Sequence, residues 1–176
     1  MLALKRAKDL SRNGEVLFAS PALSAFLQND YDKVSFATTE GVLDKFCDLD
    51  DSDIYNAMKA WRLHPDKVLS DLSSRLLDRK LFRIELRTEE FSQSDIDERV
   101  KTLMELWSLS EEEANYYVSS GSVDNQPYKE NGIMLKSKDG GLIDFAKAND
   151  NLTLESLSRN VTKSFLCYPK DMPGRS

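Results

Sequence analysis

The chain has 176 residues, of which 40% are hydrophobic and 31% charged, and this length and composition allow one globular domain with a sizeable core. The 24 lysine and arginine residues against 30 aspartate and glutamate residues give a net charge of −6, which disfavours a general nucleic-acid-binding surface. The single histidine, His64, excludes a metal centre that needs several histidines and any HExxH motif.

The first half of the chain is predicted to be helical. Apolar residues recur there with helical spacing, Asn13-Gly14 ends the first helix, and Ser20-Pro21 is a typical start for the second. A turn is predicted at 29–32. The predicted helices cover residues 2–10, 22–28, 40–47, 50–61 and 64–78. The last of them should bury one face, which consists of Val68, Leu69, Leu72, Leu76 and Leu77.

The spacing of apolar residues changes from helical to alternating at residue 81. In residues 81–87 the apolar positions 82, 84 and 86 alternate with Arg83, Glu85 and Arg87, and this alternation predicts a half-buried strand. A helix is predicted again at 94–107. Ser110 and Glu113 have the spacing of a capping box and predict a further short helix.

The remaining residues are predicted to form a small antiparallel sheet. Predicted strands cover 116–123, 132–136, 142–145 and 162–168, a hairpin turn lies at 138–141, and a short helix covers 152–158. The sequence therefore indicates an α+β fold in which a helical N-terminal part packs against a small, mostly antiparallel sheet with helices. The predicted domains are a helical part at 1–79 and an α+β part at 80–168, with a loose tail at 169–176.

Most polar clusters fit structural roles better than chemical ones. The acidic run at 48–53 lacks the spacing of a calcium-binding loop and suits the start of a helix. His64 precedes Pro65 where a helix begins, which favours a capping or surface role over catalysis. Cys47 and Cys167 are far apart and are expected to be buried free thiols of a cytoplasmic protein. No apolar run approaches the roughly 20 residues of a membrane helix, so no membrane partner is expected.

Residues 75–87 are basic although the chain is acidic. Five cationic residues stand there against two acidic ones, which gives a local net charge of +3. The cationic residues are Arg75, Arg79, Lys80, Arg83 and Arg87. The spacing predicts Arg75 and Arg79 on one helix face, and the two later arginines on one face of the following strand. Several guanidinium groups at such a corner suit phosphate binding, and a salt-bridged surface is the alternative.

Three parts of the sequence resemble the C-terminal part of bacterial HD-superfamily phosphohydrolases, in the branch similar to deoxynucleoside triphosphate triphosphohydrolases. The most specific part covers 50–83, with DDSDI at 50–54, Trp61 and HPDKVLSDLSSRLLDRKLFR at 64–83. The other parts are KRAK at 5–8 with LFASPAL at 17–23, and FLCYPK at 165–170. The resemblance covers nearly the whole chain.

The resemblance implies that the chemistry lies elsewhere in a longer protein. The family hydrolyses nucleotide phosphate esters with a divalent metal held by a histidine, a His-Asp dipeptide and a distant aspartate, and this chain has no His-Asp pair. A catalytic HD domain that holds the metal would then precede Met1, and this chain by itself would be inactive and without a cofactor. Its partners would be that HD domain, other subunits and a nucleotide effector.

One motif carries a functional implication. Residues 79–83, Arg-Lys-Leu-Phe-Arg, are similar to an Arg-x-Leu-Phe-Lys stretch of the animal relative with a sterile-alpha-motif domain, where it contacts allosteric nucleotides between subunits. The resemblance implies phosphate contacts from Arg79 and Arg83, with the other cations of 75–87 nearby. The preferred interpretation is a regulatory and assembly domain of a dNTP phosphohydrolase, and the alternative is a purely structural oligomerisation scaffold without a ligand.

Overall fold

The computed structural model describes residues 2–125, 134–144 and 161–172, and these residues form the predicted α+β fold. The helices are α1 (Leu2–Arg12), α2 (Pro21–Gln28), α3 (Lys33–Thr38), α4 (Val42–Asp48), α5 (Asp51–Trp61), α6 (Lys67–Leu77), α7 (Gln93–Trp107) and α8 (Glu111–Ala114). The strands are β1 (Arg83–Arg87), β2 (Ser119–Asn125), β3 (Met134–Lys136), β4 (Leu142–Asp144) and β5 (Val161–Tyr168). No helix of the described ranges is long and apolar enough to cross a membrane.

Several helices begin at caps that the local sequence provides. Ser20 accepts a hydrogen bond from the Leu23 amide at 3.2 Å, directly before the proline that starts α2. Asp50 accepts from the Asp53 amide at 3.2 Å, and the Asp53 carboxylate accepts from the Asp50 amide at 2.9 Å in return. Ser92 and Ser110 form the same reciprocal capping box at α7 and α8. Because both partners of each cap lie within three residues, the sequence was sufficient to predict the starts at Ser20, Asp50 and Ser110, whereas the start predicted at residue 94 lies one residue inside α7.

One core joins the helices to the sheet. Its most buried members include Ala7, Trp61, Leu69, Leu103, Leu166 and Tyr168. An ion pair inside this assembly fixes α1 against the start of α6, with Arg6 Nε 3.2 Å from Asp66 Oδ1 and Arg6 Nη2 2.7 Å from Asp66 Oδ2. Asp66 also caps α6 by accepting from the Leu69 amide at 2.7 Å. The same carboxylate therefore serves both a local and a long-range contact.

The main sheet has three antiparallel strands in the order β1-β5-β2, so β5 is central. Ile84 and Leu86 of β1 lie opposite Cys167 and Phe165 of β5. β3 and β4 pair separately around a turn in which Gly140 has a φ of 87°, and this confirms the predicted hairpin.

The structure corrects which face of β1 is buried. Ile84 and Leu86 are 61% and 57% exposed, whereas Glu85 on the opposite face is half-buried. The buried face is polar because Glu85 accepts hydrogen bonds from the Tyr168 hydroxyl and from Arg99 Nη2, the latter at 3.4 Å. The Arg99 guanidinium also lies 4.5 Å from the centre of the Tyr168 ring. This network, rather than apolar packing, holds β1 against α7.

One helix was missed, and several predicted elements begin two or three residues early: α4, α6 and β1 begin at residues 42, 67 and 83 rather than at 40, 64 and 81. α3 was not predicted, and it begins directly after the predicted turn with Asp32 as its cap. The strand predicted from residue 116 begins only at Ser119, because Tyr116, Tyr117 and Val118 fill the core before the chain enters the sheet. The helix predicted at 152–158 lies outside the described residues.

Side chains outside β1 also differ in burial from the prediction. Leu76, predicted to be buried, is 48% exposed because it borders a surface cavity at the end of α6. Cys47 is an exposed free thiol and Cys167 a half-buried one. The tail predicted to be loose from residue 169 is packed at Met172, which is 2% exposed, and at Asp171, which pairs with Arg75. The domain limit at 79/80 stays a prediction.

Candidate phosphate site after helix α6

The candidate site lies where α6 ends and the chain turns toward β1. The Arg79 amide donates to the Leu76 carbonyl at 3.2 Å, and the Lys80 amide donates to the Arg75 carbonyl at 2.8 Å. These two bonds form a Schellman motif, in which the residue after the helix cap is left-handed and usually glycine. Arg79 occupies that position with a φ of 55°. The backbone thus holds Arg79 and Lys80 on a hydrogen-bonded corner at a conformational cost.

A surface cavity of about 380 Å³ opens beside this corner. Its lining consists of Arg75, Arg79, Lys80, Leu81, Lys170 and Asp171. Within the described part of the chain, Arg79 and Lys80 form neither an ion pair nor a side-chain hydrogen bond. The cavity therefore presents cationic groups whose donors are not used by carboxylates.

Arg75 lines the same cavity, but its guanidinium already forms hydrogen bonds with two carboxylates. Its Nε lies 2.7 Å from Asp71 Oδ2, and its two terminal nitrogens lie 3.0 and 2.8 Å from the Asp171 carboxylate oxygens. Its guanidinium also stacks 4.8 Å from the centre of the Trp107 ring. Burial lowers the pKa of Arg75, but the hydrogen bonds to Asp171 and Asp71 outweigh that effect and raise it above its ordinary value. Arg75 thus holds the 169–172 segment against α6.

The two strand arginines do not line the cavity. Arg83 is exposed at the start of β1, and Arg87 lies 3.4 Å from Asp95 and 4.0 Å from the centre of the Phe91 ring. The prediction that Arg75 and Arg79 share a helix face is wrong, because α6 ends at Leu77 and the left-handed turn redirects the chain. The structure thus brings Arg75, Arg79 and Lys80 to one cavity and leaves Arg83 and Arg87 on the strand.

An apolar cavity of about 260 Å³ adjoins the cationic one. The two share Arg75, Lys80 and Leu81, and the rest of the apolar lining is Leu2, Ala3, Met58, Leu72, Leu76 and Phe82. Phe82 anchors the corner through stacking on Tyr117, with ring centres 6.3 Å apart, whereas Leu81 is 58% exposed. A molecule that fills both cavities would need an anionic and an apolar part.

Sequence reasoning missed Lys170, which reaches the same cavity from the end of β5. It lies too far along the chain for any local spacing to connect it with residues 75–87. His64 is not the cap of α6: Asp66 is, and the His64 Nδ1 accepts from the Asp66 amide at 3.1 Å directly before that helix, so His64 has the structural rather than catalytic place that was predicted. The metal implied by the family resemblance has no ligand set here, because no three His, Cys, Asp or Glu side chains are grouped suitably in the described residues.

The fold is similar to that of part of a solved phosphohydrolase. A solved phosphohydrolase from Bacteroides thetaiotaomicron is 38% identical, superposes with a TM-score of 0.81, and is matched over 96% of this chain and 42% of its own. No model of a protein family matches the chain.

The second relative comes from Bacillus subtilis. The uncharacterized protein YwfO is 27% identical over 184 residues, which cover 96% of this chain and 38% of YwfO. The chain thus spans about two fifths of the length of each relative.

Proposed function

We propose that this chain is the non-catalytic regulatory and assembly region of a metal-dependent, HD-type dNTP phosphohydrolase. Two observations support the proposal: the chain shares its fold with about two fifths of a phosphohydrolase, and its described residues contain no metal-ligand cluster. The metal and the hydrolytic residues would then belong to the rest of the protein. This region would act through a nucleotide that it binds and through the subunits that it joins.

The observation that carries the regulatory role is the position of Arg79 and Lys80. Both are exposed, both lie on a corner fixed by two backbone hydrogen bonds, and neither forms an ion pair or a side-chain hydrogen bond in the described part of the chain, although the charge of Lys80 lowers the pKa of Asp171. A triphosphate at this corner would exchange hydration for charge-assisted hydrogen bonds, each worth about 1.5–3 kcal/mol. Lys170 would add a third cation, and Arg83 would extend the site along β1.

Arg75 and Arg87 would act indirectly in this proposal. The carboxylates of Asp71 and Asp171 already occupy Arg75, and Asp95 accepts from Arg87. The salt-bridge interpretation of the basic stretch thus suits these two arginines, and the phosphate interpretation suits Arg79 and Lys80.

A second candidate function is a structural scaffold without a ligand. The observation that favours it is a set of exposed apolar side chains around the end of α5: Val16, Phe18 and Leu63 are 95%, 62% and 86% exposed. The Trp61 indole donates to the Phe18 carbonyl at 3.0 Å, and His64 lies 3.3 Å from Glu15, so these two segments are adjacent. Apolar patches of this kind commonly mark protein contacts.

Titration calorimetry with tripolyphosphate and dGTP distinguishes the two functions. We expect millimolar binding to this chain, since a second subunit would complete the site, and weaker binding at higher salt. Lys80→Ser and Arg79→Gly should each weaken binding by about tenfold or more, because each loses at least one charge-assisted hydrogen bond.

Lys101→Ser is the matched control, because Lys101 is an exposed cation on α7 outside the cavity lining. It should leave the affinity unchanged. Absence of triphosphate binding, or equal losses in all three variants, would leave the scaffold function. In either case, the chain should hydrolyse no dNTP with Mn²⁺, Mg²⁺ or Zn²⁺, and nucleoside and tripolyphosphate are the products to measure.

A further inference from the structure

Strand β1 forms an edge of the main sheet and carries exposed apolar side chains. β5 is its only strand partner among the described residues, so its other side offers backbone N–H and C=O groups to a further strand. Ile84 and Leu86 point to the outer face and are more than half exposed. β1 contains neither lysine nor proline, which commonly protect such edges from pairing.

The charges of β1 select particular pairings with an identical strand. In a centred antiparallel pairing of two copies, Glu85 would face Glu85 and Arg83 would face Arg87, and both contacts are repulsive. A shift of the partner strand that places Ile84 opposite Ile84 sets Arg83 opposite Glu85 twice, by symmetry. Arg83 has no ion-pair partner in the described residues, whereas Arg87 already faces Asp95. This register therefore gives Arg83 a carboxylate partner, which it lacks among the described residues of the single chain.

We propose that two copies of this chain associate through their β1 edges, antiparallel and with Ile84 opposite Ile84. The two three-stranded sheets would become one continuous sheet across a two-fold axis. Ile84 and Leu86 of both copies would then lie together on the outer face, and the Arg83–Glu85 pairs would lie on the inner face. The inference rests on the assembly role proposed above and names the surface that performs it.

A second copy fits this edge better than an unrelated peptide. The strand is complementary to itself in both its apolar and its charged face, and the backbone groups of one edge match those of the other in antiparallel pairing. Contact with phosphate at Arg83 is compatible with this arrangement, since a guanidinium has five N–H donors.

Disulfide crosslinking tests the register directly. In a background of Cys47→Ser and Cys167→Ser, Ile84→Cys should form an intermolecular disulfide on mild oxidation, because directly opposed Cα atoms lie about 4.5–5.5 Å apart and disulfides need about 4.4–6.8 Å. Removal of Cys167 matters because it lies opposite Ile84 within the same chain. Val123→Cys is the matched control, since Val123 lies on the same face at the other edge and is 55% exposed.

Native mass measurement over a concentration series tests the surface independently of any thiol. Leu86→Lys should weaken dimerisation by about tenfold or more, because it places a charge in the shared apolar face, while Val123→Lys should leave it unchanged. Both residues are exposed, so neither variant should unfold the chain, and circular dichroism checks this.

Two results would overturn the inference in distinguishable ways. A dimer that crosslinks through Val123→Cys rather than Ile84→Cys, or that Leu86→Lys leaves intact, would place assembly on another surface or register and leave the assembly role standing. A chain that stays monomeric up to millimolar concentration would overturn both the surface and self-assembly. The triphosphate titration would still decide the phosphate site.

Discussion

Replacing Arg79 by glycine should make the chain more stable while it loses triphosphate binding. Arg79 has a φ of 55° at the position after the α6 cap where glycine is preferred. An L-residue there costs about 1–2 kcal/mol, and the greater freedom of glycine in the unfolded chain offsets about 0.5–1 kcal/mol of that. The expected net gain is about 0.5–1 kcal/mol, which corresponds to about 1–4 °C in the melting temperature at this chain length.

Urea unfolding and thermal melts, with and without tripolyphosphate, measure both effects. Ser108→Gly is the matched control, because Ser108 has a φ of 53° at the end of α7 and lies outside the cavity lining. It should give a similar gain and keep the stabilisation by ligand. Arg79→Ala should give no gain, since alanine retains the Cβ that causes the strain.

A loss of stability in Arg79→Gly, with a gain in Ser108→Gly, would refute this reasoning. It would mean that the Arg79 guanidinium stabilises the fold through contacts of its own. The left-handed backbone at Arg79 would then have a structural cause in those contacts.

Three further predictions concern the fold. Asp66→Ala should lower the free energy of unfolding by about 3 kcal/mol or more, because it leaves Arg6 unpaired and uncaps α6, and Asp66→Asn should cost less by keeping the cap; urea unfolding compares them. Burial raises the pKa of Asp66, but hydrogen bonds from Arg6 and Leu69 outweigh that effect and hold the pKa below its ordinary value of about 3.9. The stabilisation by Asp66 should therefore be complete above about pH 5 and fall as the pH drops through the lowered pKa. The acid-unfolding profile of Asp66→Asn should lack this dependence. Tyr168→Phe should cost about 1.5–3 kcal/mol by removing the hydrogen bond to Glu85, whereas the exposed Tyr55→Phe should change the unfolding midpoint little.

Most helix starts and the order of the predicted elements followed from the sequence because their causes are local, although α3 was missed despite its local cap at Asp32. Ser20, Asp50, Ser92 and Ser110 cap amides that lie within three residues, so the interacting groups are visible in a short window of sequence. The change from helical to alternating spacing after residue 81 likewise marked β1. The α+β fold class followed from these local signals together.

The buried face of β1 and the composition of the candidate site were decided only by tertiary structure. Alternation separated the two faces of β1, but Tyr168 and Arg99, distant in sequence, made the Glu85 face the inner one. In the same way, the Asp171 carboxylate forms a salt bridge with Arg75, and Lys170 lines the same cavity as Arg79. Spacing along the chain specifies which side chains share a face. Which residues pack against that face depends on distant segments that folding brings together. Those residues decide whether a charged side chain forms a buried ion pair or stays exposed to a ligand.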